Sequence, residues 1–396
     1  MSVRDHGSVV QIVVRRAAVD PLRRGHPWLF REQIESAKGT GAVGSEARVV
    51  DSSGACLGRG IFTPESAIAV RMWTHEDRAI DRELLTQRAR AAQALRARLF
   101  ADGSTDAFRL VNGEGDRMPG IVLDRYGDVG VLRTDGAGAE AQLEAVVPAL
   151  VHVFGAELRS LVHRVTEKGK PPRAIVVHGA PAPDTVVVHE HGVPFVVDLA
   201  QGQKTGAFLD QRENRKRVGL MARGKRVLNL FSYAGGFSLH AALGGAAAVT
   251  SVDVAAKAHA TAQASFRAAG VDTKGHEFVT ADVFAFLESA AKKARTWDLV
   301  ISDPPSFAPN ERSLGRALAA YRTLHRACVA VLAPGGTFCA SSCSSHVHAE
   351  DFVGTLDDDA LGSSALRLVE LYGPPPDHPT LPVWPEGRYL KFAVLT

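Results

Sequence analysis

Nowhere in these 396 residues is there a run of about 18 apolar side chains, so a membrane-spanning helix is excluded on length alone. The first stretch, "MSVRDHGSVVQIVVRR", is too short and too polar in its apolar part for a secretory leader, which predicts a cytoplasmic protein. Cysteine is scarce: Cys56, Cys328, Cys339 and Cys343 form no CxxC pair. That spacing speaks against a zinc cluster or a disulfide framework and predicts a reducing compartment with no bound metal. A strong charge of one sign is also missing, since 46 Lys and Arg against 43 Asp and Glu leave a formal net charge of +3. So mild a basic balance permits a nucleic-acid partner without requiring one.

What remains is the composition of a globular enzyme, 45% hydrophobic and 22% charged, on a chain long enough for two or three domains. Residues 9–75 alternate short β-rich runs ("VVQIVV", "EARVVD", "CLGRGIF", "IAVRMW") with turn clusters and read as a compact, mostly β module, residues 1–78. Residues 80–100, free of glycine and proline, predict a basic linking helix; with the mixed strands and helix up to residue 198 they make a central α+β domain, residues 79–198. From residue 199 to 396 strands and helices alternate in turn ("KRVLNLF", "AVTSVDV", "HEFVTADVF", "WDLVISD", "GGTFCASSC"), the pattern of a doubly wound α/β sheet.

The first of those strands runs into "NLFSYAGGFS", a glycine turn that opens a helix, the place where nucleotide-type ligands bind at the carboxyl edge of a parallel sheet. A dinucleotide needs GxGxxG there, and only Gly235 and Gly236 are present. S-adenosylmethionine has no phosphate and needs instead room for its amino-acid end and a carboxylate for its ribose. Asp253, 18 residues beyond Gly235 at the end of the second strand, is placed for the ribose, and Asp282, ending the third, for the adenine edge. The plainer alternative for both is a helix N-cap.

"SDPPSF", residues 302–307, puts Asp303 at a strand end made rigid by two prolines, where adenosylmethionine enzymes hold a target base. Cys343 sits in a polar run after the fifth strand, whereas Cys328 and Cys339 read as small buried hydrophobes. If the fourth and fifth strands are neighbours, Asp303 and Cys343 face one base. A thiolate there can add to C6 of a pyrimidine and activate C5 for methylation. The alternative is a structural thiol.

These residues resemble the large-subunit ribosomal RNA methyltransferase I family, which makes 5-methylcytosine in 23S rRNA. "GHPWLF" and "GRGIFTPESAIAVRMW" are similar to its amino-terminal PUA domain and "FRLVNGEGDRMPGIVLDRYGD" to its central domain. "QKTGAFLDQRENR", "NLFSYAGGFS", "DPPSF", "SSCS", and "DHP" with "PEGRYLK" are similar to its catalytic, class I methyltransferase domain. The resemblance implies S-adenosylmethionine as cofactor, with Thr205, Gly206, Asp210, Gln211, Phe231, Tyr233, Gly235, Asp253, Asp282 and Asp303 lining its site and Cys343 as nucleophile. It departs at Ser306, where the family pattern has lysine. DPP followed by a small residue and an aromatic also resembles enzymes that methylate purine nitrogens, chemistry that needs no thiol. N7-guanine or exocyclic-amine methylation, and an RNA-binding assembly factor without turnover, stay open beside it.

The expected partner is 23S rRNA or a large-subunit precursor, with no membrane, and a homodimer is left open. Two basic clusters in separate domains suit a long structured RNA: Arg15, Arg16, Arg23 and Arg24, and Arg212, Arg215, Lys216, Arg217, Arg223, Lys225 and Arg226. Each has the alternative of a solvated face. Phe307 is the expected stacking surface for a base drawn out of its helix.

Overall fold

The structure, a computed structural model, describes residues 9–39, 41–166, 172–308, 310–363 and 365–396. Residues 1–8 of the leader reading, and Glu167 at the end of the expected strand "SLVHRVTE", lie outside the described residues. The chain forms two compact units, each discontinuous: Met1–Asp184, Leu199–Gly206 and Pro376–Gly387 make the first, and Thr185–Asp198, Ala207–Pro375 and Arg388–Thr396 the second. The expected division at residue 198 therefore moves. The "DHP" motif, expected in the catalytic domain, belongs to the first unit.

In the second unit the strands are β1 (Arg226–Leu230), β2 (Ala248–Asp253), β3 (His276–Thr280), β4 (Trp297–Ser302), β5 (Leu332–Ser342), β6 (Leu368–Tyr372) and β7 (Lys391–Leu395). They lie in the order β3-β2-β1-β4-β5-β7-β6. β1 to β5 are parallel and β7 runs antiparallel between β5 and β6. Strand order reverses direction at β1 and β4, the position at which open α/β sheets bind ligands. The helices needed below are α1 (Arg212–Met221), α2 (Gly236–Leu243), α3 (Ala256–Ala268), α4 (Val283–Lys292), α5 (Leu314–Val329) and α6 (Ala349–Val353). Alternation along β1 sends Leu228 and Leu230 into one core with Leu287 of α4 and Tyr321 and Leu324 of α5. Val227 enters the opposite core with Val218 of α1 and Phe237 and Ala241 of α2. Both faces being covered, the central strands read as nearly unbroken apolar runs.

The hairpin Thr185–Glu190 to Val193–Asp198 turns at His191 and Gly192, both at positive φ, the geometry of a tight two-residue turn. It is part of the second unit because Val196 N–H donates to Ser265 Oγ on α3 at 3.0 Å, and because Glu190, 1% exposed, takes a bidentate ion pair from Arg215 of α1. His240 of α2 is 3.6 Å from the same carboxylate. Arg215, expected to bind RNA phosphate, is thus buried and structural. Arg212, also in that cluster, is buried as well.

The first unit holds two sheets. Strands from Val10 to Thr74 form a six-stranded sheet around Ile12, Leu29, Val49 and Val70. Strands between Ala107 and Gly179 form a five-stranded sheet against the helices Arg82–Leu99 and Leu143–Phe154. Asp377 braces the edge strand of this second sheet: its Oδ2 accepts Arg109 N–H at 2.9 Å and its carbonyl accepts from buried Arg96 at 2.7 Å. Nothing in a local reading of "DHP" announces so distant a partner.

Burial opposes the ionisation of Glu190, but Arg215 and His240 outweigh it and hold the carboxyl at about 2. A depressed carboxylate stabilises the fold above its unfolded value of about 4.3, and this is lost as pH falls toward 2. Glu190→Gln, which leaves Arg215 buried and uncompensated, is expected to lower the stability of the second unit by about 3–5 kcal/mol. Denaturant unfolding at pH 7 measures it, and a change below about 0.5 kcal/mol would contradict the assignment.

Candidate active site

β1 ends at Leu230, and the chain then takes two left-handed steps at non-glycine residues, Phe231 at φ 56° and Tyr233 at φ 44°. Strain of this kind persists only where surroundings hold it. Here Asp253 does so: Oδ2 accepts Tyr233 N–H and Oδ1 accepts Ala255 N–H, each at 2.8 Å. Phe208 packs edge-on to the Tyr233 ring. Gly235, at φ 73°, is required by the turn and by Ala262, whose Cβ would lie 2.7 Å from an added Cβ. Gly236 answers a different need: a Cβ there would meet the Arg215 side chain at 2.7 Å. One of the two glycines thus shapes the turn and the other clears space for the buried ion pair.

The turn fits the adenosylmethionine expected from sequence. Asp253 spends one lone pair of each oxygen on the backbone and keeps others for a ribose diol. Ser232 Oγ is buried with no hydrogen-bond partner among the described residues, as a polar wall built for a ligand would be. Asp282 is an N-cap, its Oδ1 accepting Ala285 N–H at 3.0 Å, so that alternative holds for one oxygen. The residue is exposed, and its Oδ2 suits an adenine amine. Asp253, Phe231, Tyr233, Gly235 and Asp282 are the residues that would hold the cofactor.

Beside this turn β4 and β5 end together, with Ser302 paired to Ala340. Gln211 joins them: its Nε2 donates to Asp303 Oδ1 and to Ser341 Oγ, both at 2.9 Å, while its Oε1 accepts from Asn214 at 2.7 Å. Tyr389 OH donates to Asp210 Oδ2 at 2.8 Å. Half-buried Cys343 follows two serines at the end of β5. Tyr321 of α5 donates to Ser342 Oγ at 2.9 Å and lies 3.3 Å from Ser344 Oγ, which is itself 2.9 Å from Ser306 Oγ. Burial raises the Tyr321 phenol above its usual range, and the charges of Cys343 and Asp303 act the same way. Burial pushes Cys328 and Cys339 up to about 12, so both are inert thiols.

Asp210, Gln211, Phe231, Tyr233, Gly235, Asp253, Asp282, Asp303 and Cys343 are therefore all in the second unit. Thr205 and Gly206 are in the first, where the buried Thr205 hydroxyl donates to Asp124 at 2.6 Å and lies 2.8 Å from Tyr126 OH. Thr205 is accordingly a tie within the central domain. Phe307 is half-buried with its ring 4.9 Å from that of Tyr321, which leaves only part of it for a base. Arg217 stacks on Tyr372 at 3.5 Å and Arg226 pairs with Asp298, so the second basic cluster is largely committed. Arg15 and Arg16 are exposed. The sequence reading missed Tyr321, Ser344 and Lys391. Only Lys391 carried a visible signal, a cation inside the apolar strand "YLKFAVL".

Among the described residues no helix is long and apolar enough to cross a membrane, and no His, Cys, Asp and Glu cluster has metal-holding geometry. Residues 142–389 match the family model of S-adenosylmethionine-dependent methyltransferases, and residues 12–75 that of PUA-like domains. The chain is 37% identical over 389 residues to a ribosomal RNA large subunit methyltransferase I of Alteromonas mediterranea, covering 96% of this chain and 97% of that one. A protein of the same name from Vibrio cholerae is 37% identical over 376 residues, 93% of this chain and 95% of its own. The crystal structure of a methyltransferase, SMU.776, complexed with SAH superposes with a TM-score of 0.88 at 26% identity, covering 98% of this chain and 100% of that one.

Asp253→Ala removes both the acceptor of the Tyr233 amide and the carboxylate expected to take the ribose. Affinity for S-adenosylmethionine is expected to fall by about 1.5–3 kcal/mol, the worth of a charge-assisted hydrogen bond. Titration calorimetry measures this, and an unchanged affinity would place the ribose elsewhere.

Proposed function

Because the chain belongs to the ribosomal RNA large subunit methyltransferase I family of S-adenosylmethionine-dependent methyltransferases, we propose that it methylates C5 of a cytosine in 23S rRNA through a covalent bond to Cys343. The observation that carries this reading is that Asp303 and Cys343 follow the ends of neighbouring strands, which Gln211 ties together through Asp303 and Ser341. Nitrogen methylation has no use for a thiol at that place.

Bound S-adenosylmethionine supplies an electrophilic methyl group. The residues of the chain do the rest. Asp303, its carboxylate oriented by the Gln211 amide, accepts from the cytosine amino group or protonated N3. The Cys343 thiolate adds to C6, and the electron pair released to C5 takes the methyl group. A base removes the C5 proton, the C6–S bond breaks, and the thiolate returns. Exposed Arg15 and Arg16 on the PUA-like domain hold the RNA backbone, with Lys216 and half-buried Arg217 as further contacts, and the free part of the Phe307 ring stacks on the extruded base.

Cys343→Ala is expected to abolish turnover while S-adenosylmethionine still binds. RNA with 5-fluorocytidine at the target should form a denaturation-resistant adduct with the wild type alone, because fluorine cannot leave as a proton does. Full activity of the variant, or loss of a methylated purine with 5-methylcytidine intact in rRNA from cells lacking the gene, would assign the enzyme to nitrogen methylation. Arg15→Glu with Arg16→Glu should weaken RNA binding and lower its salt slope by roughly 0.7–0.9 for each phosphate no longer neutralised. Filter binding across a salt series measures that slope, and an unaltered slope would make the pair a solvated face.

A further inference from the structure

Lys391 opens β7 and is 3% exposed, although every other residue of the strand is an apolar side chain in the core. A buried ammonium requires compensation. Its Nζ donates to the carbonyls of Ser344, Val347 and Tyr389, each at 2.7 Å, so three donors meet three acceptors. Two of those carbonyls belong to the turn that begins just after Cys343. The strand register sets Lys391 opposite Ser342, the residue just before it. The lysine thus grips the chain on both sides of the cysteine.

Resting on the nucleophile reading above, we propose that Lys391 is the positioning residue of Cys343: it draws the 344–347 turn onto β7 and, with no N–H to spare, favours the thiolate by its charge alone. Burial pushes the Lys391 ammonium down to about 8, while the charges of Cys343 and Asp351 on α6 oppose that fall. Coupling between two sites is reciprocal, so the protonated lysine favours the ionised thiol to the same extent. Of the other titratable groups at this end of the sheet, Tyr321 is a phenol kept neutral by burial and His346 and His348 are exposed, whereas Asp303 and Asp351 are acidic and act against the thiolate. Lys391 counters them, and its help fades as pH rises through about 8.

Alkylation by iodoacetamide as a function of pH, followed by peptide mapping, reads the Cys343 thiol in the full-length protein without RNA. Cys328 and Cys339, deeply buried, serve as unreactive references. The wild-type thiol is expected to titrate below the ordinary value of about 8.5. In Lys391→Gln the midpoint should rise by roughly one unit, reducing the thiolate fraction at pH 7 about tenfold, with kcat falling in step and KM for RNA unchanged. Lys391→Arg, which keeps the charge, should titrate with the wild type. A Lys391→Gln protein that binds S-adenosylmethionine and alkylates with the wild-type profile overturns the proposal. So does a wild-type midpoint at or above about 8.5, which is readable even if the glutamine variant fails to fold. A shifted profile together with full turnover in Cys343→Ala supports the coupling and removes the nucleophile reading instead.

Discussion

The buried ion pair between Glu190 and Arg215 is the constraint on which the catalytic unit is assembled. Through it the hairpin at 185–198 is joined to α1, and the same guanidinium reaches Phe208 O at 2.9 Å and occupies the space that Gly236 leaves open. Gln211 stands four residues before Arg215 and spans Asp303 and Ser341. A segment of eight residues, 208–215, therefore packs on the glycine turn at both of its ends, through Phe208 and Arg215, and ties the ends of β4 and β5 from its middle, through Gln211. Such a pair gains little net energy over an apolar replacement, because taking two charges out of water costs nearly what their attraction returns. Its effect here is on arrangement: the Arg215 guanidinium is placed by the Glu190 carboxylate and the Phe208 carbonyl together.

Strand ends are where the sequence was most legible. Asp253, Asp282, Asp303 and Cys343 each follow a β-rich stretch in the alternation of strands and helices, and a parallel sheet brings such ends to one edge by construction. Arginines were the least legible. Of the cluster from Arg212 to Arg226, two are buried, one stacks on Tyr372 and one pairs with Asp298, and nothing in the order of basic residues distinguishes them. The choice depends on Glu190, Tyr372 and Asp298, all remote in sequence. The hairpin's allegiance was hidden for the same reason, since it is decided by Ser265 and Arg215 rather than by its own residues.

Lys391 shows the converse. A cation in an apolar strand violates a local rule, and such violations tend to fall at functional sites. Its three carbonyl partners come from stretches that are ordinary when read alone. The signal in the sequence was the misfit, and its meaning needed the neighbours. Ser306, where the family pattern has lysine, was visible in the same way; in the fold it adds a hydroxyl to the chain of Tyr321, Ser342 and Ser344 beside Cys343.

The division of the chain into interleaved pieces bears on its synthesis. Five crossings separate the six segments of the two units, at 184/185, 198/199, 206/207, 375/376 and 387/388. Translation proceeds from the amino end, and domains fold as their segments emerge. The central sheet has all its strands once residue 179 is made, yet Arg96 and the Arg109 amide wait for Asp377. The first unit therefore starts to form before the second and closes only once residues 376–387 have been made, after most of the second unit.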